Sequence, residues 1–552
     1  MRPRVPEANV IVKDWRRADL KVALCYPNIY RVGMAGLQVR LLYALLNSRE
    51  DVLCERFFLP GGGLDTLVPL SLESGRPLTD FDVIAFTLQY EWDYLNAASM
   101  LLQAGIRPER EERARSGGPI VVAGGPCVLE NPMPLYDLMD VFAIGDAEIL
   151  LDPLLDGLRD VLASPSPGAL RDLADLRGLL VPGISERAER VWLGSLDESP
   201  APLAQVLPLV PDDSPLAPPF GRSFNLELTR GCGRGCRFCL IDHITRPRRD
   251  RSLENVLSAV EEGLKLTPAG KVLFIGAGAS DHPELLAACE GVVALGAKLS
   301  VPSLRPDAVS EELVRVLVAG GQRRLTIAPD GATPRLRQVI NKPVEDEQVL
   351  EACRLALEGG LRAVKLYFMV GLPGETEEDV RAIGKLVRRV ADLGFGPGCV
   401  HVSVNPLVPK PRTPFQWLGM ADLAYVRRCL KLIRSAVGHD RRVVLDGLDP
   451  RVARLQAVLS LGGRELGRAI VLAASYGGGL GAWRRAVKEL RLDVDRYLAP
   501  KEPGEPLPWD VIDVGVRSSW LAREYEKAFK EEITPPCWER CTGCGVCGRG
   551  DR

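Results

Sequence analysis

The sequence has almost no net charge: 70 Lys and Arg stand against 72 Asp and Glu, a formal balance of −2. No field of one sign therefore draws the whole chain to nucleic acid or to a membrane surface. Long apolar runs are also missing. The start, Met1-Arg-Pro-Arg-Val-Pro6, lacks the apolar run of a signal peptide, and the most apolar late stretch, Ala469 to Trp483, is short and broken by four glycines. The expectation is a soluble cytoplasmic protein without a membrane span. Histidine is scarce, with four scattered residues, His243, His282, His401 and His439. Disulfide spacing is absent too: seven of the 14 cysteines fall in two tight groups, at 232 to 239 and 537 to 547, and the others are scattered through apolar segments. That is metal-ligand usage in a reducing compartment.

What is present describes a globular chain of two or three domains, with 46% hydrophobic and 26% charged residues over 552 positions. Short apolar runs end in Gly-rich turns at Lys21 to Cys25, Phe81 to Phe86, Pro119 to Ala123 and Val141 to Ile144. They predict a doubly wound parallel sheet, a Rossmann-like domain over 1–195 whose ligands bind at the strands' carboxyl ends. Seven prolines between Pro200 and Pro219 make 196–221 a stiff linker. Over 222–420 six strands (Phe224 to Leu228, Lys271 to Ile275, Lys298 to Val301, Arg324 to Ile327, Val364 to Val370, Cys399 to Val404) alternate with amphipathic helices such as Leu253 to Leu264 and Val344 to Leu357. Six units cannot close an eight-stranded barrel, so an open partial (β/α) barrel is expected, with its site at the carboxyl ends. His401 falls on its last strand, facing either the mouth or the core. A basic helical region, 421–530, and a cysteine-rich tail, 531–552, complete the α/β chain.

Cys232, Cys236 and Cys239 follow the first barrel strand at C-x3-C-x2-C spacing, with Phe238 before the third. Three thiolates can hold three irons of a [4Fe-4S] cube and leave the fourth iron open for reaction. A zinc knuckle would want a fourth ligand, and none is near. The segment resembles the cluster loop of the radical S-adenosylmethionine (SAM) enzymes. Nearly the whole chain is similar to the subgroup with an amino-terminal cobalamin-binding-like domain, including Tyr26 to Asn47, Phe86 to Tyr94, Ala123 to Gly145 and Asn405 to Trp417. The resemblance implies that SAM chelates the open iron, that an external donor of flavodoxin or ferredoxin type supplies the electron, and that a 5′-deoxyadenosyl radical or a methyl group is delivered to an unactivated carbon of a substrate the loops do not name. It also implies SAM contacts at successive strand ends. Gly276 and Gly278 stand where the family often has Gly-Gly-Glu, without the acid. Ser303 and Arg305 would serve ribose and carboxylate, Asp330 stands where related chains often carry Glu, and Gly371 opens the adenine-contacting turn.

Cobalamin domains often carry D-x-H-x-x-G, whereas the corresponding loop, Tyr26 to Gly33, has no histidine. Cobalt ligation by a histidine there is excluded, and the domain holds cobalamin without a protein ligand, or stands as an empty scaffold or a substrate platform. Cys537, Cys541, Cys544 and Cys547 match an auxiliary iron-sulfur cluster; zinc or a metal-free tail are the alternatives. Thr245-Arg-Pro-Arg-Arg-Asp-Arg251 could grip phosphate or RNA, which leaves nucleic acid open as a partner, or could be a barrel rim paired with Asp250 and Glu254. Two rivals to the main reading are methylthiolation of tRNA or a ribosomal protein, and a non-catalytic iron-sulfur protein for electron transfer or nucleic-acid binding. Cys25, Cys54 and Cys127 do not stand in the three-cysteine motifs of the methylthiolating enzymes.

Overall fold

The computed structural model of the chain describes residues 5–164 and 169–547. Residues 1–4 of the start expected to carry no signal peptide, 165–168 of the expected first domain and 548–552 of the tail lie outside the described residues.

Strands β1 (Leu20–Tyr26), β2 (Val52–Phe58), β3 (Val83–Thr87), β4 (Ile120–Gly124), β5 (Val141–Ala143) and β6 (Leu179–Leu180) form one sheet in the order β2-β1-β3-β4-β5-β6. Neighbours are parallel except β6, which runs antiparallel to β5. The chain order reverses between β1 and β3, and the crevice at their carboxyl ends is where such a sheet binds ligands. Alternate residues of β1 enter two different cores. Val22, Leu24 and Tyr26 pack with helices Gln38–Ser48 and Ala147–Ala163, while Ala23 and Cys25 pack with Asp93–Gln103 on the other face. Strand β2 has no counterpart among the predicted runs because Glu55 and Arg56 interrupt it. Arg56 is nonetheless buried, its guanidinium 2.7 Å from both Glu7 and Glu73.

The second unit contains β7 (Phe224–Arg230), β8 (Arg249–Asp250), β9 (Lys271–Gly276), β10 (Lys298–Ser300), β11 (Arg324–Asp330), β12 (Ala363–Val370), β13 (Val400–Pro406) and β14 (Val443–Asp446). Two four-stranded sheets, β8-β7-β9-β10 and β11-β12-β13-β14, are joined by a parallel bridge between Leu304 and Ile327. Only β8 is antiparallel. The six expected strands thus form an open barrel, and β14, short and half exposed, adds a seventh parallel strand from the region read as helical. Thr376 and Asp379 cap helix Glu377–Ala391 reciprocally, each side chain accepting from the other's backbone N–H.

Val364, Leu366, Phe368 and Val370 of β12, with Val400, Val402 and Val404 of β13, pack against the outer helices. The alternation leaves Lys365, Tyr367, His401, Ser403 and Asn405 on the inner face. His401 is therefore not part of the helix-facing core. Helix Leu423–Val437 lies along Glu377–Ala391, and Leu466–Ser475 packs on Asp93–Gln103 of the first sheet. No helix among the described residues is long and apolar enough to cross a membrane.

Candidate active site

The loop after β7 carries the first cysteine group. Gly231, Gly233 and Gly235 all have left-handed φ, at 83°, 81° and 76°, which glycine adopts without steric cost. A Cβ on Gly231 would lie 2.8 Å from the Thr245 carbonyl oxygen. The turns aim several amides inward at Asp242, whose buried carboxylate accepts from Gly233 N–H, from Gly235 N–H at 3.0 Å and from the Arg246 guanidinium at 2.7 Å. Burial opposes the charge on Asp242, but Arg246 and these amides hold its carboxyl below the usual range. The imidazole of His243 reaches the Cys239 carbonyl at 2.7 Å. Arg237 donates to the carbonyls of Gln338 and Val339 and forms a buried pair with Glu524. Asn341 donates to the carbonyls of Arg234 and Gly235. The loop is held from every side by groups that spacing alone did not mark.

Burial pushes the thiol of Cys232 upward and that of Cys239 up to about 12, with nearby Asp242 acting in the same direction. Burial also raises Cys236, against the pull of Lys342 and Arg305. These shifts favour the neutral thiols, and an iron centre held among them would favour the thiolates instead.

The strand ends carrying the other expected residues share this rim. A Cβ on Gly276 would lie 2.4 Å from Thr229 Oγ1, and one on Gly278 would lie 3.4 Å from Cys232 Cα, so these glycines let the turn after β9 close on the cluster loop. Arg305 pairs with Asp307 at 2.9 Å, and Asp330, at φ 61°, pairs with Lys342 at 2.6 Å. Arg305, Lys342 and Asp330 all lie within electrostatic reach of Cys236. Ser303 precedes the Leu304 bridge between the two sheets. Phe238 is half buried against the barrel core. Gly371, φ 85°, donates its amide to Glu375 at 2.7 Å beside Tyr425. Among the described residues, no hydrogen bond or ion pair ties it to the cluster loop.

Four other arrangements bear on function. Arg246, Arg248, Arg249 and Arg251 bond to Asp242, Asp250, Asp146 and the Ser199 carbonyl, so the basic stretch is spent on internal partners. Cys25 and Cys127 belong to one face of the first sheet and Cys54 to the other, so they do not converge. Lys410, in the loop after β13, forms a buried ion pair with Glu91 and lies 3.3 Å from Glu130, joining that loop to the first sheet's carboxyl end. A cavity of about 430 Å³ opens at the same end, between the sheet and helices Gln38–Ser48 and Ala147–Ala163.

The model describing radical SAM proteins, N-terminal, matches residues 38–182, and that of the radical SAM superfamily matches 226–387. The chain belongs to the radical SAM superfamily. As a radical SAM enzyme it takes a [4Fe-4S] cluster and SAM. An uncharacterised protein of Methanocaldococcus jannaschii is 31% identical over 479 residues, spanning 86% of this chain and 95% of that one. The ribosomal protein uS12 methylthiotransferase RimO of Desulfotalea psychrophila is 28% identical over 260 residues, 42% of this chain and 56% of its own. Among solved structures, the radical SAM methyltransferase TsrM of Kitasatospora setae, with cobalamin and a [4Fe-4S] cluster bound, superposes with a TM-score of 0.50 at 14% identity, covering 85% of this chain and 98% of that one. At that identity the likeness is one of fold: a Rossmann-like sheet followed by a radical SAM barrel.

Proposed function

We propose that this enzyme methylates an unactivated carbon, using SAM at the Cys232, Cys236 and Cys239 loop and cobalamin on the first sheet. The observation that carries the reading is the cavity. It begins at Thr87, Gln89, Gly124 and Gly125 on the carboxyl ends of β3 and β4, runs under the helices along Leu24 and Val83, and meets the barrel at Arg230, Thr245 and Ile275. A doubly wound sheet normally fills this space with side chains. Here the small side chains of Ala85 and Ala143 line the sheet face, and Gly125, at φ 107°, makes the turn at the edge, where a Cβ would lie 2.5 Å from the Leu88 carbonyl oxygen. An apolar slot beside a glycine turn suits the nucleotide tail of cobalamin, and none of its lining residues is histidine. When bound, cobalamin supplies a methyl-carrying cobalt, and SAM supplies the methyl group or the radical.

The chain's own residues bind, orient and exclude water. Cys232, Cys236 and Cys239 would hold the cluster. Gly276 and Gly278 admit SAM close to Cys232, and Arg305, Asp330 and Lys342 offer charges for its carboxylate and amine. Lys365, Tyr367 and His401 on the inner barrel face are positioned for substrate. An external one-electron donor of flavodoxin or ferredoxin type is required. The fourteen unpaired cysteines suit the reducing cytoplasm.

The test is anaerobic reconstitution with iron, sulfide and hydroxocobalamin, followed by cobalt counting and mass spectrometry of SAM products. Bound cobalamin together with S-adenosylhomocysteine supports methyl transfer. No cobalamin uptake, with 5′-deoxyadenosine as the sole product, overturns it in favour of hydrogen abstraction.

A further inference from the structure

The cysteine-rich tail is folded directly onto the cluster loop. The amide of Cys537 donates to the Gly233 carbonyl at 2.8 Å, and a Cβ on Gly233 would stand 3.5 Å from Cys537 Sγ. Gly233 is covalently next to Cys232, so a single hydrogen bond separates the two cysteine groups. The contact is braced on both sides. Asn341, which holds the Arg234 and Gly235 carbonyls, also donates to the Thr534 carbonyl at 3.2 Å and accepts from its amide at 2.8 Å. The ring of Trp538 lies 4.8 Å from the guanidinium of Arg234 and 4.8 Å from that of Arg248.

Within the tail the thiols feel one another's charge. Cys537 lies within electrostatic reach of Cys544 and Cys547, and Cys547 within reach of Cys541 and Cys544. Gly543 and Gly545, at φ 72° and 101°, supply the tight turns a cluster loop needs. Cys544 is anchored in an apolar group with Trp417, Trp520, Leu521 and Val546. A separate observation points to an anion there. Arg246 is buried beside Cys537 and Cys544, yet its Nε and Nη1 have no hydrogen-bond partner. Buried guanidinium N–H groups are costly to leave unpaired, and the thiolates and sulfides of an anionic cluster would accept from them.

We propose that Cys537, Cys541, Cys544 and Cys547 hold a second [4Fe-4S] cluster that relays electrons to the catalytic one across the Gly233 to Cys537 contact. The external donor gives up one electron to the tail cluster, which passes it through the contact to the cluster bound by Cys232, Cys236 and Cys239. Cys541 and Cys547 are exposed, which leaves the tail cluster open to the donor. The inference rests on the assignment of the catalytic cluster made above, and two variants separate the failures.

The triple change Cys541→Ser, Cys544→Ser and Cys547→Ser should halve the iron, from about eight per chain to about four. The triple change Cys232→Ser, Cys236→Ser and Cys239→Ser should halve it from the other side. Electron paramagnetic resonance of reduced wild-type protein should show two signals broadened by mutual coupling, and each variant one uncoupled signal. Flavodoxin hydroquinone should reduce the catalytic cluster of the tail variant at least tenfold more slowly than in wild type, while dithionite, small enough to reach either cluster, should reduce both proteins at similar rates. The single change Cys541→Ser, at an exposed position, should shift the tail signal and serves if the triple variant does not fold. Zinc in the wild-type tail, additive uncoupled spectra, or equal rates with flavodoxin would each overturn the relay. Loss of iron only from the tail variant would instead sink the catalytic-loop assignment.

Discussion

Lys342 Nζ lies 2.6 Å from Asp330 Oδ2, both side chains largely buried beside Cys236. The pair sets a positive and a negative group at the lip of the cluster loop, matching the carboxylate and amine of an amino acid. Because Asp330 sits at φ 61°, Asn is an isosteric replacement that its left-handed backbone tolerates. Asp330→Asn should weaken SAM binding by about 1.5–3 kcal/mol, roughly 10- to 150-fold, with iron content unchanged. Equilibrium dialysis beside iron analysis checks this; lost iron would make Asp330 a scaffold of the loop.

Cys236→Ala removes a thiolate from the site proposed for the cluster. Dithionite-reduced wild-type enzyme should turn SAM slowly into 5′-deoxyadenosine without substrate, and the variant should not. Liquid chromatography of the nucleosides reads the result. Equal product from both would exclude this loop as the catalytic site.

Asp242 is the hub of that loop. Asp242→Asn keeps the shape but removes the carboxylate partner of buried Arg246, where breaking an ion pair costs about 3–5 kcal/mol. Iron retention and melting temperature should fall together. A variant as stable and as iron-rich as wild type would show that the glycine turns hold the loop unaided.

The cavity gives the cobalamin reading a steric test. A Cβ at Gly124 would meet only Ala143, at 3.6 Å, so Gly124→Leu should fold and fill the slot. Cobalamin uptake should drop by at least an order of magnitude with iron intact. In wild type the Co(II) state should lack nitrogen superhyperfine splitting, because the Tyr26 to Gly33 loop offers no imidazole. A clear nitrogen triplet would contradict this.

The two α/β units are joined by Asp146 and Glu148, which pair with Arg230, Asp146 also with Arg249. Burial raises both carboxyls, but the guanidiniums outweigh it and hold them below the usual range. A depressed carboxyl contributes stability in full above its unfolded value, about 4, and loses it as pH falls through the folded value. The thermal stability these two carboxyls contribute should be complete above about pH 4 and be lost as pH falls below it. Arg249→Met should flatten that acid limb; an unchanged limb would place the titration elsewhere.

Local signals were legible where they needed no distant partner. The C-x3-C-x2-C spacing, the apolar runs of β1, β3 and β4 and the cap at Thr376 are properties of contiguous residues, and each was visible in order. Strand β2 was not, because its Glu55 and Arg56 become tolerable in a buried strand only through Glu7 and Glu73, which lie far away in sequence. Lys342 and Asp242 went unmarked for the same reason: a Lys twelve residues beyond Asp330, or an acid three beyond Cys239, has no meaning until turns bring them together. The arginines of 246 to 251 left a phosphate grip and a paired barrel rim both open until the fold supplied their acceptors.

The sequence by itself determined the chemistry, since three thiols at that spacing after a strand, followed by glycine-bearing strand ends, carry the radical SAM pattern. Tertiary structure alone decided the placement. It pressed Cys537 onto Gly233 across some three hundred residues of chain, set the loop's half-buried cysteines beside Asp242, and opened a cavity on the first sheet toward the barrel. Spacing sets which ligands a loop can offer; packing sets which distant groups reach it, because burial, ion pairing and close approach are properties of the folded chain.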